Sequence, residues 1–208
     1  MNVQKFLHTA DAISTWVGKA FAWLIVVLML LVVVEVFKRY ALNAPTAWVF
    51  DASNMLYGAL FMMGGAYTLA HDGHVRGDFL YGNFTPRRQA SIDLVLYIVF
   101  FLPGVAALTW AGWTFFSESL AINEQTFNAD PLPVYPFKFM IPFAGTLVLM
   151  QGLAEIVRCV VCIQTGEWTP RLKDVKESDV VAQQLSSSEF VDADAKALAI
   201  ESSKNLKG

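Results

Sequence analysis

The sequence predicts an all-α membrane protein: four transmembrane helices, an N-terminal interfacial helix ahead of them, and a disordered C-terminal tail. Three observations carry this. The 208 residues are 55% hydrophobic and only 16% charged, where soluble domains carry about a quarter charged residues. Four segments each reach the length of about 20 mostly apolar residues that a spanning helix needs. No stretch alternates apolar with polar as barrel strands do, and backbone polar groups in lipid must then be satisfied within helices.

Val3, Phe6, Leu7, Ala10, Ile13 and Val17 recur at helical spacing, with Lys5, His8 and Asp11 between them. That pattern reads as an amphipathic helix lying in the interface, or as a polar extension of the first span. The first span covers about 16–37. It is free of charge from Ala20 to Val34, with Lys19 and Glu35 near its ends, where charges reach the headgroups. Its length, and the lack of a small-x-small cleavage site, point to a retained segment rather than a signal peptide. The second span, 52–70, lies between Asp51 and His71; the third, 94–117, lies between Asp93 and Glu118. Pro103 and Pro142 fall early in spans three and four, where membrane helices tolerate them. Span four covers 139–163 after Lys138, and Glu155 and Arg158 stand three apart on one face near its end, spaced to pair. Residues 1–170 thus form the membrane domain. The tail, 171–208, is rich in Ser, Asp, Glu, Lys and Ala and reads as disordered, with a short helix possible from Glu189 to Ile200.

The cations set the orientation. Lys5, Lys19, Arg76, Arg87, Arg88, Arg158, Arg171 and Lys173 fall on one side of a four-span topology, and Lys38, Arg39 and Lys138 on the other. The first side, with both termini, is therefore expected in the cytoplasm. The loop carrying Glu118, Glu124 and Asp130 is expected outside. Arg39 runs against the trend. It can pair with Asp51, which opens span two on the same side, bind a carboxylate on another protein, or snorkel to phosphates.

Little in the chain resembles a reactive centre. His71, Asp72, His74 and Asp78 share a short loop, but Arg76, Gly73 and Gly77 sit among them, so a solvated turn explains them better than a metal site. Cys159 and Cys162 are the only cysteines. On a continuous apolar helix they read as small hydrophobes rather than a redox pair. Haem needs histidines inside the spans, and His8, His71 and His74 all lie outside them. Neither cofactor nor metal is expected, and a net charge of −3 gives no reason to expect nucleic acid. No charge falls at mid-span, where a pathway for polar solutes would need one. The chain reads as a partner subunit rather than an enzyme or a self-sufficient transporter. Small residues suit that role: Ala52, Ala59 and Ala66 with Gly58 and Gly65 on span two; Gly104, Ala107 and Ala111 on span three; Gly145 and Gly152 on span four. Such seams pack helices closely, within this bundle or against another subunit.

Phe37, Lys38, Arg39, Tyr40, Ala41, Leu42 and Asn43, followed by Trp48 and Asp51, resemble the first outer loop of the small membrane subunit of TRAP transporters (tripartite ATP-independent periplasmic transporters, DctQ type). Gly65, Ala66 and Tyr67, followed by His74, Val75, Arg76, Gly77 and Asp78, resemble the next motif. Pro136, Phe137, Lys138, Pro142 and the run Gln151, Gly152, Leu153, Ala154 resemble the fourth span. The pattern departs at Asp51, where Glu is more usual, and at Gly77, where a β-branched residue is. The resemblance implies a scaffold subunit of the bacterial inner membrane. Its partners would be a large membrane subunit that holds the substrate and sodium sites, and a periplasmic solute-binding protein that delivers an organic acid, often a carboxylate. Arg39, Asn43, Trp48, Asp51, His74, Arg76, Asp78, Lys138, Gln151, Glu155 and Arg158 are then the candidate assembly or docking residues. The competing class, a membrane anchor or assembly subunit of a redox complex, is disfavoured by the absence of in-span histidine.

Overall fold

The computed structural model describes residues 3–73, 81, 83–187, 197–198 and 201. The helices are α1 (Val3–Ala22), α2 (Leu24–Ala41), α3 (Val49–Ala70), α4 (Pro86–Leu96), α5 (Leu102–Ala121), α6 (Tyr135–Thr165) and α7 (Leu172–Ser187), with a π turn (Tyr97–Phe101) joining α4 to α5. No strand occurs among the described residues. An isolated bridge between Gln125 and Pro133 braces the loop before α6.

Only Trp23 separates α1 from α2, and the two form one rod, Val3–Ala41, of 39 residues. At 1.5 Å per residue the rod is about 58 Å long, well beyond the ~30 Å of a hydrocarbon core. Its α1 half packs on α3 and α6, burying Leu7, Ala10, Asp11, Ser14 and Val17. Of the two readings of this segment, an interfacial helix or an extension of the first span, the continuous rod agrees with the second. The buried stripe faces protein rather than headgroups and includes Asp11, while Val3 and Ile13 of the expected apolar face are exposed. A Cβ on Gly18 would lie 2.5 Å from the Cβ of Tyr67, so glycine is what lets α1 and α3 approach there.

α2 ends where Asn43 turns left-handed at φ 50° and the amides of Leu42 and Ala44 both donate to Lys38 O. Asparagine tolerates that conformation, so Asn43 of the outer-loop motif is a helix stop. α4 and α5 form a continuous 36-residue helix, Pro86–Ala121. Its π turn sits just ahead of Pro103: the proline lacks an N–H and its ring crowds the preceding turn. The backbone widens instead, and Leu102 N donates to Tyr97 O.

α6 is central, against α1, α3, α4 and α5. Val17, Met63, Ala66, Ala144 and Leu147 form the core between α1, α3 and α6. α6 stops at Gly166, left-handed at φ 88°, whose amide donates to Cys162 O. Beyond it, within the tail, Leu172–Ser187 is helical. Asp174 Oδ2 accepts the Arg171 amide at 3.0 Å, the reciprocal half of a capping box. The possible helix over 189–200 falls largely outside the described residues.

Among the described residues, three helical rods are long and apolar enough to cross a membrane: Val3–Ala41, Pro86–Ala121 and Tyr135–Thr165. α3, the expected second span, is not among them. It has 22 residues, but Ser53, Asn54, Gly58, Gly64, Gly65 and Thr68 lower its hydropathy.

Candidate functional site

The bundle has two polar ends. At the end where α2 stops and α3 begins, the buried Glu35 organises the loop. Its Oε1 accepts Thr46 N at 3.0 Å and Arg39 Nη2 at 3.1 Å, while Lys38 Nζ donates to Thr46 Oγ1 at 2.7 Å. The Arg39 side chain remains 55% exposed. Its internal partner is therefore Glu35, one helical turn back, and not Asp51. Asp51 Oδ2 instead accepts Asn128 Nδ2 at 2.5 Å, tying the start of α3 to the loop before α6. Trp48 is the N-cap residue of α3. Asn43 is exposed.

Lys138 is buried at the start of α6. Its ammonium binds Glu124 and lies 3.7 Å from the centroid of the Phe115 ring. The Lys138 ammonium on its carboxylate holds Glu124 below the usual carboxylate pKa. Phe127, on the tip of the same braced loop, is fully exposed.

The opposite end is held by buried charges. Gln151, Glu155 and Arg158 occupy one face of α6 at i, i+4 and i+7, and Asp11 and Ser14 come from the inner stripe of α1. Arg158 Nη1 donates to Glu155 Oε1 at 2.5 Å and its Nη2 to Asp11 Oδ2 at 2.5 Å. Gln151 Nε2 donates to Asp11 Oδ1 at 2.8 Å, and Ser14 Oγ donates to Gln151 Oε1 at 2.9 Å. Arg171 reaches in from beyond α6 and grips Glu155 with both terminal nitrogens, at 2.8 and 2.9 Å. It also donates to Leu69 O at 3.3 Å and lies 3.3 Å from Asp72. Asp11 and Arg158 are each only 1% exposed. Burial acts to lower the pKa of Arg171, but the carboxylates of Glu155 and Asp72 outweigh it and raise the pKa. The set is two carboxylates against two guanidiniums, with Asp72 at its rim.

The expected Glu155–Arg158 pair is thus formed, inside a larger network that the sequence reading missed. Asp11, Ser14 and Arg171 are its unforeseen members. One signal was available for Asp11 and Ser14: with Leu7 they follow i, i+4, i+7 spacing, which puts them on one face of α1. Nothing local marked Arg171. Lys138, Gln151, Glu155 and Arg158 spend their hydrogen-bonding capacity within the chain rather than offering it outward.

His71 closes α3, its Nδ1 at 2.9 Å from Tyr67 O and its ring stacked on Tyr67. His74, Arg76 and Asp78 lie outside the described residues. Cys159 and Cys162 are not joined in a disulfide and are buried with Ala90 beside Leu94, Tyr97, Ile163 and Trp168, which is how small hydrophobes pack. The seams divide. Gly145 abuts Thr109 and Gly152 abuts Phe101 within the bundle, whereas Gly104 has open space beside it, and Ala107 and Ala111 face outward with it.

Comparison with known proteins agrees with the motifs. The model of one family, described as tripartite ATP-independent periplasmic transporters, DctQ component, matches residues 28–162. The match runs from within α2 almost to the end of α6 and leaves out α1 and α7. No curated protein matches the chain.

Proposed function

The chain belongs to the DctQ component family of tripartite ATP-independent periplasmic transporters, and from that premise we propose that it is the small scaffold subunit of a sodium-driven importer of an organic acid, most simply a carboxylate. The family is a transporter component and not an enzyme family. In this reading a large membrane subunit holds the transport and sodium sites, and a periplasmic binding protein delivers the substrate. The observation that carries it is the match over 28–162.

The geometry supports a scaffold. Across the described residues, the buried charged side chains lie at the two ends of the bundle and are paired there. The apolar faces of α2 and α5 are left largely exposed. Such faces suit lipid and a second membrane subunit.

The proposed topology has four crossings, α3 included, in a bacterial inner membrane with both termini cytoplasmic. Contacts at the two ends of α3 support this. Asp51, near its start, meets Asn128 close to the start of α6. Leu69, near its end, meets Arg171 beyond the end of α6. α3 therefore runs the same way as α6, as four crossings require. Arg39, Asn43, Trp48 and Asp51 are proposed as the outer surface for the partner proteins, and His74, Arg76 and Asp78 as the cytoplasmic one.

Reconstitution tests the function. Liposomes holding this chain alone should accumulate no organic acid under a sodium gradient. Adding the large subunit and the binding protein should produce uptake. Sodium-dependent uptake by the chain alone would refute the scaffold role.

A further inference from the structure

Asp11 and Arg171 both lie outside the family match, yet each supplies a charge to the buried set. The path to Arg171 starts at the end of α6, where left-handed Gly166 reverses the chain. Trp168 then packs over Cys159, Cys162 and Ala90, and its Nε1 donates to Gln89 Oε1 at 3.2 Å. Three residues further on, Arg171 enters the set, and the next amide, Leu172 N, donates to Asp11 Oδ2 at 3.2 Å. α7 begins there, against α1.

The charge arithmetic makes this contact consequential. With Arg171 seated, Asp11 and Glu155 face Arg158 and Arg171. Without it, two carboxylates that are 1% and 2% exposed share one guanidinium. An uncompensated buried charge is strongly destabilising. The site must then admit water or loosen, and α1 is the element that Asp11 holds in place.

We propose that residues 168–172 form a clasp whose locking group is the Arg171 guanidinium. Seated, it completes a neutral buried charge set and holds α7 on α1. Unseated, it leaves that set one negative charge in excess, so the N-terminal helix and the C-terminal tail loosen together. Because α1 continues into α2 as one rod, the clasp ties the tail to the helix that carries the opposite loop.

The chain's own thiols report on it, since Cys159 and Cys162 are its only cysteines and lie beneath Trp168. The test uses the full-length chain in micelles, with a small neutral maleimide, limited trypsin digestion and a thermal melt. Arg171→Met should raise thiol labelling about tenfold or more, the ratio set by ~1.4 kcal/mol of easier opening. It should also speed cleavage at Lys173 and lower the melting temperature. Arg171→Met combined with Glu155→Gln leaves Asp11 opposite Arg158. Its melting temperature should recover toward wild type while the thiols stay reactive, because neutrality is restored but the clasp is not. Unchanged labelling in Arg171→Met overturns the clasp. A double variant that melts no higher than the single one overturns the charge balance. If Arg171→Met does not accumulate, recovery of expression in the double variant supports the proposal, and failure of both overturns it.

Discussion

Arg158 and Arg39 carry the same charge in different surroundings. Arg158, 1% exposed, bonds to both Asp11 and Glu155 where water cannot. Arg158→Met should cost about 3–5 kcal/mol, the usual penalty for stranding buried carboxylates, and denaturant titration in micelles measures it. Arg39→Ala removes a half-exposed pair, which salt and solvent weaken, so its melting temperature should stay close to wild type. Glu124 adds a pH dependence. Lys138 holds its folded-state pKa below the ordinary 4.5. The stability it contributes is therefore fully present above pH 4.5 and is lost as the pH falls through the lowered value. Melts of wild type and Glu124→Gln taken between neutral and strongly acidic pH should converge at the acid end; a constant gap would exclude the ion pair as its cause. The sequence shows some of these pairings and conceals others for one reason. Glu155 and Arg158 lie a turn apart on one helix, where spacing alone brings them together; the same spacing joins Arg39 to Glu35, where the sequence reading had looked to Asp51. Arg171 finds Glu155 only after Gly166 has reversed the chain, and helical periodicity carries no trace of that turn.

Helices are legible where one periodic face meets one environment. The rods around spans one, three and four followed from apolar length alone, and Asn43 and Gly166 end α2 and α6 by residue chemistry. α1 was left between two readings because its buried face is partly polar: Asp11 and Ser14 look solvated until Gln151 and Arg158 are placed opposite them. α7 was not foreseen because its composition buries little; the helix rests on a cap and a charge contact instead. The small-residue seams show the same limit, since seven-residue spacing cannot say what lies across from them. A Cβ on Gly152 would run into the Phe101 ring at the π turn, whereas one on Gly104 would meet nothing within 4 Å. Gly152→Ala should therefore destabilise by about 1–3 kcal/mol, as overpacking does. Gly104→Ala should be neutral or slightly stabilising, since alanine is the better helix former by up to ~1 kcal/mol. Thermal melts of the two variants compare them directly, and equal losses would mean that the α4–α6 seam is looser than described.

For the molecule as a whole, the number of crossings decides which surfaces meet which partners, and hydropathy alone leaves α3 in question. Contacts between distant residues address it differently. Asp11 near the N-terminus, Leu69 at the end of α3, Arg158 near the end of α6 and Arg171 beyond it all meet at one end of the bundle. Glu124, Asn128, Asp51 and Lys138 gather at the other. Were α3 to lie outside the bilayer, the remaining three rods would leave the N-terminal arm and the segment after α6 on opposite faces, and Asp11 could not reach Arg158 or Leu172 without burying charge across the membrane. In the proposed topology the excess of lysine and arginine beside the Asp11 end faces the cytoplasm. Single cysteines placed in a Cys159→Ala, Cys162→Ala background should divide accordingly in intact cells. An impermeant thiol reagent should label Ala44→Cys and Asn123→Cys, and should reach Phe84→Cys and Ser178→Cys only after the membrane is opened. Labelling of Phe84→Cys from outside would remove α3 from the membrane. Labelling of Ser178→Cys from outside, with Asn123→Cys protected, would invert the orientation and move the Arg171 clasp to the periplasmic face.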